Sequence, residues 1–135
     1  NFYPSFLDAT YAAKASALID AQEDMQDVWL KDPSDPAVQE KMRAAVEALK
    51  AIPRPSYKRI VDHIDHVVKL VGVKHVGLGS DFDGIEVCPE GLDDISRMQK
   101  IIIELRKRGY TEYEIRHIAG GNFLRVMEQV QRLPE

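Results

Sequence analysis

Two carboxylates that could carry acid–base or metal chemistry stand in a glycine-rich stretch of the sequence. The stretch reads Gly77-Leu78-Gly79-Ser80-Asp81-Phe82-Asp83-Gly84 and follows a short apolar run. If that run is a parallel β-strand, Asp81 and Asp83 lie at its carboxyl end, where α/β proteins bind ligands. A carboxylate at that place can act as an acid, a base or a metal ligand. Because aspartate and glycine also form ordinary turns, a purely conformational role is the alternative.

Two known short motifs can be compared with that stretch. A calcium-binding loop needs glycine at its sixth position and glutamate at its twelfth, whereas counting from Asp81 puts Gly84 fourth and Leu92 twelfth. The stretch therefore does not match a calcium loop. Its Asp-x-Asp-Gly order resembles the nucleophile loop of haloacid-dehalogenase phosphatases, in which Asp81 would accept the phosphoryl group and Asp83 would serve as acid and base. A phosphotransfer enzyme is therefore one alternative function.

A second group of candidate ligands, His63, Asp65 and His66, lies on a predicted helix. Side chains three positions apart share a helix face, so the two histidines could belong to a zinc site. A third strong ligand is not evident nearby, and a surface cluster is the alternative. The other two histidines are isolated, and Cys88 has no neighbouring histidine or cysteine with which to form a redox pair.

The elements that must position these side chains begin with an alanine-rich region at about residues 8–51, which has a helix-forming composition. We predict two helices there, because Pro33 and Pro36 interrupt backbone hydrogen bonding between them. Asp35 is placed to cap the second helix, with Pro36 as its first residue.

Three more helices are predicted further along the chain. One follows Ser56, carries an apolar stripe and ends at Gly72, and the next spans about 93–108 and ends at a glycine. The last spans about 111–131 and begins with the capping box of Thr111 and Glu114. In that helix Gly120-Gly121 should cause an interruption, after which Asn122 could cap the second piece.

Short strands are predicted at 2–7 and 73–78, where apolar and β-branched residues cluster. Strands separated by helices favour parallel pairing, so the fold class is α/β, mostly helical, with two short parallel strands. Two strands do not make a stable sheet. Since the chain also begins with Asn1 in the middle of an apolar segment, we expect further sequence to precede it.

Composition excludes several classes of function. The chain has 135 residues and a formal net charge of -4, which is typical of one globular domain. Neither sign of charge forms a block of five, which argues against nucleic-acid binding and against a polybasic membrane surface. No apolar run reaches the roughly 20 residues of a membrane span. No residue pattern assigns a compartment, and a soluble protein of the cytoplasm, a bacterial one by the resemblance given below, is the expectation because a single cysteine fits a reducing environment.

Five motifs in order are the most specific feature of the sequence. They are Asn1-Phe2-Tyr3-Pro4-Ser5-Phe6-Leu7, Asp62-His63-Ile64-Asp65-His66, Val76-Gly77-Leu78-Gly79-Ser80-Asp81-Phe82-Asp83-Gly84, Pro89-Glu90-Gly91-Leu92 and Asn122-Phe123-Leu124-Arg125-Val126. Together they resemble the C-terminal third of the membrane (renal) dipeptidase family. The stretch at about 8–51 is similar to the variable insertion of bacterial members. Residues 1–135 are therefore expected to be the C-terminal part of a metallodipeptidase barrel with a helical insertion.

The resemblance implies a zinc-dependent dipeptidase on a (β/α)8 TIM-type barrel, in which two zinc ions share a bridging water that attacks the peptide carbonyl. It implies that Asp81 is the catalytic acid, which shuttles a proton from that water to the leaving amine and touches the substrate's amino group. Asp83 would brace the loop. Phe6 stands where some members place a tyrosine near the substrate, so its ring would line the substrate pocket.

The resemblance assigns no metal ligand to this chain, because the family's ligands precede the position at which Asn1 falls. The arginine that holds the substrate carboxylate also precedes Asn1, and His63 and His66 match a helix motif that does not bind the metals. A barrel of this type needs roughly 250 residues. We therefore expect a fragment that is inactive in isolation, from a parent protein that binds two zinc ions.

The expected partners are a dipeptide substrate and either a second copy of the chain or the missing N-terminal part, because part of a barrel exposes apolar faces. The insertion at about 8–51 would form a lid over the substrate or a dimer contact. A non-catalytic helical interaction module, built from 8–51 and the helix at 57–71, is the remaining alternative.

Overall fold

The computed structural model describes residues 1–132, which are predominantly helical. The α-helices, in chain order, are α1 (Pro4–Leu7), α2 (Ala9–Lys31), α3 (Pro36–Lys50), α4 (Lys58–Val71), α5 (Gln99–Lys107), α6 (Glu112–Arg116) and α7 (Asn122–Gln131). Short 3-10 turns cover Val73–His75 and Ile95–Arg97, and a π-helical segment, His117–Gly121, joins α6 to α7. Among the helices of residues 1–132, none combines the length and the apolar character needed to cross a membrane.

Helices α2 and α3 pack against each other and confirm the predicted pair. The Asp8 carboxylate caps α2 by accepting from two backbone amides of its first turn, at 2.9 and 3.1 Å. Asp35 caps α3 through the amide of Ala37 at 2.8 Å, and Pro36 is the first helical residue, as the sequence predicts. The small core of this pair consists of Tyr11, Ala15, Leu49 and Val87. Since Val87 lies in the loop after Asp81, the helix pair is packed against that loop.

The main core forms around α4, whose apolar stripe faces α5 and the segment after α6. Ile60, Val61 and Ile64 are the buried residues of α4. Their buried partners are Phe2, Leu7, Val76, Leu92, Ile101, Leu105, Ile115 and Ile118. Gly72 ends α4 with a backbone φ of 85°, a left-handed conformation that glycine adopts without strain. The predicted end of this helix is confirmed.

The helix predicted at about 93–108 is a 3-10 turn, Ile95–Arg97, followed by α5, which begins only at Gln99. Helices α6 and α7 follow the predicted boundaries with one further correction. Thr111 and Glu114 form the predicted capping box, in which each side chain accepts the backbone amide of the other. Gly120 has non-helical backbone angles, which confirms the interruption. Asn122, however, is already inside the helical run and does not cap α7 through its side chain. Its side-chain amide instead donates to the carbonyl groups of Val73 and Val76, in the segment that precedes Asp81.

The prediction of two short parallel strands is wrong for the part of the chain that the structure describes. Residues 4–7 form the one-turn helix α1, because Pro4 starts a helix readily at its first position. Val73–His75 form a 3-10 turn, and the backbone then runs on without strand pairing. One parallel bridge, between Ser56 and Glu90, is the extent of β-pairing described in residues 1–132. An extended segment becomes a strand only when a neighbouring backbone supplies its hydrogen bonds.

Candidate active site

Asp81 lies in a turn whose backbone presents the carboxylate at a fixed place. Its φ of 60° is in the left-handed region, which residues other than glycine seldom adopt. The turn closes when the amide of Gly84 donates to the Asp81 carbonyl at 3.0 Å. A Cβ atom at Gly84 would collide with the Asp81 carboxylate, so this position accepts only glycine without a shift of Asp81.

The first residues of the chain hold that carboxylate from the other side. The side-chain amide of Asn1 donates to Asp81 Oδ2 at 2.9 Å, and Asn1 Oδ1 accepts from the amide of Tyr3 at 2.8 Å. The amide of Phe2 donates to the Ser80 carbonyl at 3.3 Å. The Phe2 ring packs edge to face on Phe82, with centroids 6.1 Å apart. The role of Asn1 has no local signal in the sequence beyond its place in the first motif.

A cleft of about 630 Å³ opens beside Asp81. Phe6 and Asp83 line it together with Asp81, so the structure brings the predicted catalytic residue and the predicted substrate-binding residue to one site. The helix pair supplies another wall, made of Ile19, Gln22, Glu23, Gln26 and Trp29 on α2 and Met42 on α3. These six residues were not predicted as site residues, because nothing in their spacing separates them from ordinary surface positions of a helix.

The cleft is acidic. Its charged lining residues, Glu23, Asp81, Asp83 and Glu86, are all carboxylates. Partial burial, followed by the nearby carboxylates of Glu86 and Glu23, raises the pKa of Tyr3, another lining residue. Gln22 Nε2 donates to Glu86 Oε1, which ties helix α2 to the loop after Asp81. Such a cleft attracts cations and repels anions.

Two of the candidate zinc ligands on α4, His63 and Asp65, form hydrogen bonds with neighbouring segments. The His63 ring nitrogen Nε2 donates to the Leu7 carbonyl at 3.1 Å. Asp65 accepts from Arg108 Nη1 and from the Tyr110 hydroxyl, each at 2.7 Å. Partial burial alone would raise the pKa of Asp65, but these two donors outweigh it and lower that pKa. His63 and Asp65 therefore stabilise the packing of α4, whereas His66 is exposed.

The side chains of residues 1–132 include candidate metal ligands, but their grouping decides whether they can bind a metal ion. Across residues 1–132, no three histidine, cysteine, aspartate or glutamate side chains are grouped so that they could hold one metal ion. The described residues therefore do not form, by themselves, a site for the zinc ions that the resemblance implies, and zinc coordination is not assigned to any of them. Cys88 is half-buried, and burial raises the pKa of its thiol, as for an ordinary unreactive cysteine.

Comparison with known proteins assigns the chain to a family. The family model described as membrane dipeptidase, peptidase family M19, matches residues 1–135. The chain therefore belongs to the membrane dipeptidase family, which confirms the resemblance and sets the chain apart from the phosphatases.

Individual relatives agree with that assignment. Dipeptidase verJ of Clonostachys rogersoniana is 43% identical over 79 residues, which cover 58% of this chain and 20% of the relative. Dipeptidase ataJ of Aspergillus terreus is 49% identical over 73 residues, covering 54% of this chain and 18% of the relative. The matched region thus spans about a fifth of the length of these curated relatives.

A solved structure is similar over most of the chain. The crystal structure of the probable dipeptidase PvdM from Pseudomonas aeruginosa shares 30% identity with a TM-score of 0.62. The match covers 87% of this chain and 34% of that one. Over the matched part, the described helices and loops are therefore arranged as in part of that probable dipeptidase.

Proposed function

We propose that the protein to which this chain belongs hydrolyses dipeptides, with Asp81 as its proton-transferring residue and Phe6 as part of the substrate pocket. The observation that carries the proposal is the place of the Asp81 carboxylate. Asn1 holds it at 2.9 Å beside a cleft that Phe6 also lines. Family membership supplies the reaction class.

The proposed chemistry uses Asp81 first as a base and then as an acid. One oxygen, Oδ2, is oriented by Asn1, while Oδ1 lies beside Gly84, which has no side chain to cover it. The carboxylate accepts a proton from the attacking water as the new C–O bond forms at the peptide carbonyl. It returns that proton to the amide nitrogen as the C–N bond breaks, which releases the amine. The same carboxylate attracts the ammonium group of the dipeptide.

Zinc dependence, with two ions on a (β/α)8 barrel, is a further part of the proposal and rests on the resemblance. Because the described residues do not form a metal site by themselves, we propose that the ligands lie outside residues 1–132 and that the chain of residues 1–135 alone lacks turnover. The helix pair at about 8–51 is proposed to act as a wall or lid of the substrate site, since its α2 residues line the cleft.

The test compares Asp81→Asn with the unmodified protein at its natural length, using Gly-Leu as substrate. Asp24→Asn is the matched control, because Asp24 is an exposed residue of α2 that is absent from the cleft lining. Loss of a proton-transferring carboxylate is expected to lower kcat by about a hundredfold or more. Normal turnover by Asp81→Asn would overturn the assignment of Asp81, and no turnover by the unmodified protein would overturn the function.

A surface proposal accompanies the enzymatic one. Helix α7 exposes Phe123, Leu124, Val126, Met127 and Val130. Since exposed apolar patches of this kind mark association surfaces, we propose that residues 1–135 associate with a second copy through α7 when they are isolated.

A further inference from the structure

The cleft beside Asp81 has apolar and aromatic walls. Ile19 and Trp29 of α2 and Met42 of α3 provide one of them. Tyr3 and Phe6 provide another aromatic surface, since their rings pack edge to face with centroids 5.6 Å apart. Aliphatic stems pack well on such walls, and the faces of aromatic rings attract ammonium and guanidinium groups. The walls alone therefore suit a long side chain with a cationic end.

The charges of the cleft, independently of its walls, also favour a cationic side chain. Its ionisable acids exceed what proton transfer requires, because Glu23 and Glu86 stand in the lining in addition to Asp81 and Asp83. Among the described residues that line the cleft there is no lysine, arginine or histidine to neutralise them. Glu23 and Glu86 line the cleft from α2 and from the loop after Asp81, and Gln22, the residue before Glu23, donates to Glu86 Oε1.

We propose that this cleft receives the side chain of the substrate's N-terminal residue and selects lysine or arginine there. The inference rests on the proposed function, because contact between Asp81 and the amino group places the N-terminal residue at the cleft. The aliphatic stem packs on Trp29, and the cationic end lies near Glu23 and Glu86. An acidic side chain at the same place is repelled by the carboxylates.

The first experiment compares two substrates of equal length, Lys-Gly and norleucyl-glycine, with the protein at its natural length. Norleucine keeps the aliphatic stem and lacks the charge. The ratio of kcat/KM for the two, charged over uncharged, is expected to be about fivefold. Raising the ionic strength to about 1 M should bring the ratio towards one, because salt screens exposed charges.

Variants then identify the residues that discriminate between the two substrates. Glu23→Gln should lower the ratio by about twofold, and Glu23→Gln combined with Glu86→Gln should bring it close to one. Asp24→Asn, one position further on α2 and outside the lining, should leave the ratio as it is. Both glutamates are exposed, so these substitutions leave the cores intact.

The outcomes separate the two proposals. Hydrolysis of both substrates with a ratio of one overturns the selectivity and leaves the dipeptidase function standing. Hydrolysis of neither overturns the function and, with it, this inference. A ratio that Asp24→Asn lowers as much as Glu23→Gln does would also overturn the inference, because the effect would then come from net charge.

Discussion

The side-chain amide of Asn1 donates to the Asp81 carboxylate at 2.9 Å, although 80 positions separate the two residues. Asn1 is itself fixed, because its Oδ1 accepts the backbone amide of Tyr3 at 2.8 Å. A reacting group held by a fixed donor keeps one orientation, and a displacement of about 1 Å can cost roughly a hundredfold in rate. Asn1 is therefore a positioning residue for the proposed proton transfer.

Replacement of Asn1 by alanine is expected to lower kcat for Gly-Leu by about tenfold with little change in KM. The orienting donor is lost, whereas the walls that bind the substrate remain. Asn1→Gln, which keeps an amide, should recover part of kcat. A lower Tm with an unchanged kcat per folded molecule would contradict the positioning role, since Asn1 would then act on stability alone.

Gly84→Ala should reduce kcat by about tenfold or more, because the added Cβ would displace the Asp81 carboxylate. Gly77→Ala is the matched control, since a Cβ at Gly77 meets nothing within 4 Å. Steady-state kinetics and circular dichroism of both variants decide the matter. Equal activity of the two variants would show that the turn relaxes without moving Asp81.

Local signals in the sequence predicted the helix ends well. Asp35 caps α3, Gly72 ends α4, and Thr111 with Glu114 caps α6, as expected. Each of these features depends on a few neighbouring residues, so its chemistry can be read from the sequence. The prediction of two strands was wrong for the opposite reason. Strand pairing depends on hydrogen bonds to backbone that is distant along the chain.

The residues of the candidate site also divide into those that the sequence predicts and those that it does not. Asp81 was identified because a glycine-rich turn surrounds it, and Phe6 because it belongs to a motif of the family. Asn1 and the wall residues of α2, such as Trp29, were missed. Their contribution arises from the packing of elements that lie far apart in sequence, and no residue type or spacing marks it.

The ion pair of Asp65 with Arg108 and its hydrogen bond from Tyr110 should make stability depend on acid pH. Arg108 and Tyr110 each bind its carboxylate at 2.7 Å and lower its pKa despite partial burial. An aspartate has a pKa of about 3.9 when unfolded. Since the folded-state pKa is lower, this contribution is complete above about pH 5 and is lost as the pH falls through the folded-state pKa.

We therefore expect Asp65→Asn to lower the free energy of unfolding at pH 6. The expected loss is only about 1 kcal/mol, because Asp65 and Arg108 are both partly exposed to solvent. The difference from the unmodified protein should shrink near pH 3. Urea unfolding at the two pH values measures it, with Asp24→Asn as the control. A difference that stays constant with pH would mean that Asp65 acts by packing.

Helix α7 should govern self-association of residues 1–135. Phe123, Val126 and Val130 are exposed and lie at helical spacing on one face. The double variant Phe123→Ser and Val130→Ser is expected to sediment as a monomer at concentrations where the unmodified chain associates. Glu128→Gln, on the same helix, serves as control. Unchanged association of the double variant would assign the contact to another surface.

Asn122 should be a sensitive polar residue of the core. It is 5% exposed, and its side-chain amide donates to the carbonyls of Val73 at 2.7 Å and Val76 at 2.8 Å. Asn122→Ala removes the donor from the buried Val76 carbonyl and from the part-buried Val73 carbonyl, which should cost about 2 kcal/mol of unfolding free energy. Because Val76 begins the segment that leads to Asp81, hydrogen exchange of residues 76–81 should also accelerate.

Asn122→Asp separates hydrogen bonding from packing. Aspartate has nearly the same size, but its carboxylate has no proton to donate and repels both carbonyl oxygens. This variant should therefore unfold at a urea concentration no higher than Asn122→Ala does. If Asn122→Asp were as stable as the unmodified protein, the two donated bonds would not be needed, and shape together with the contact of Oδ1 with His117 Nδ1 at 3.1 Å would fix the segment before Asp81.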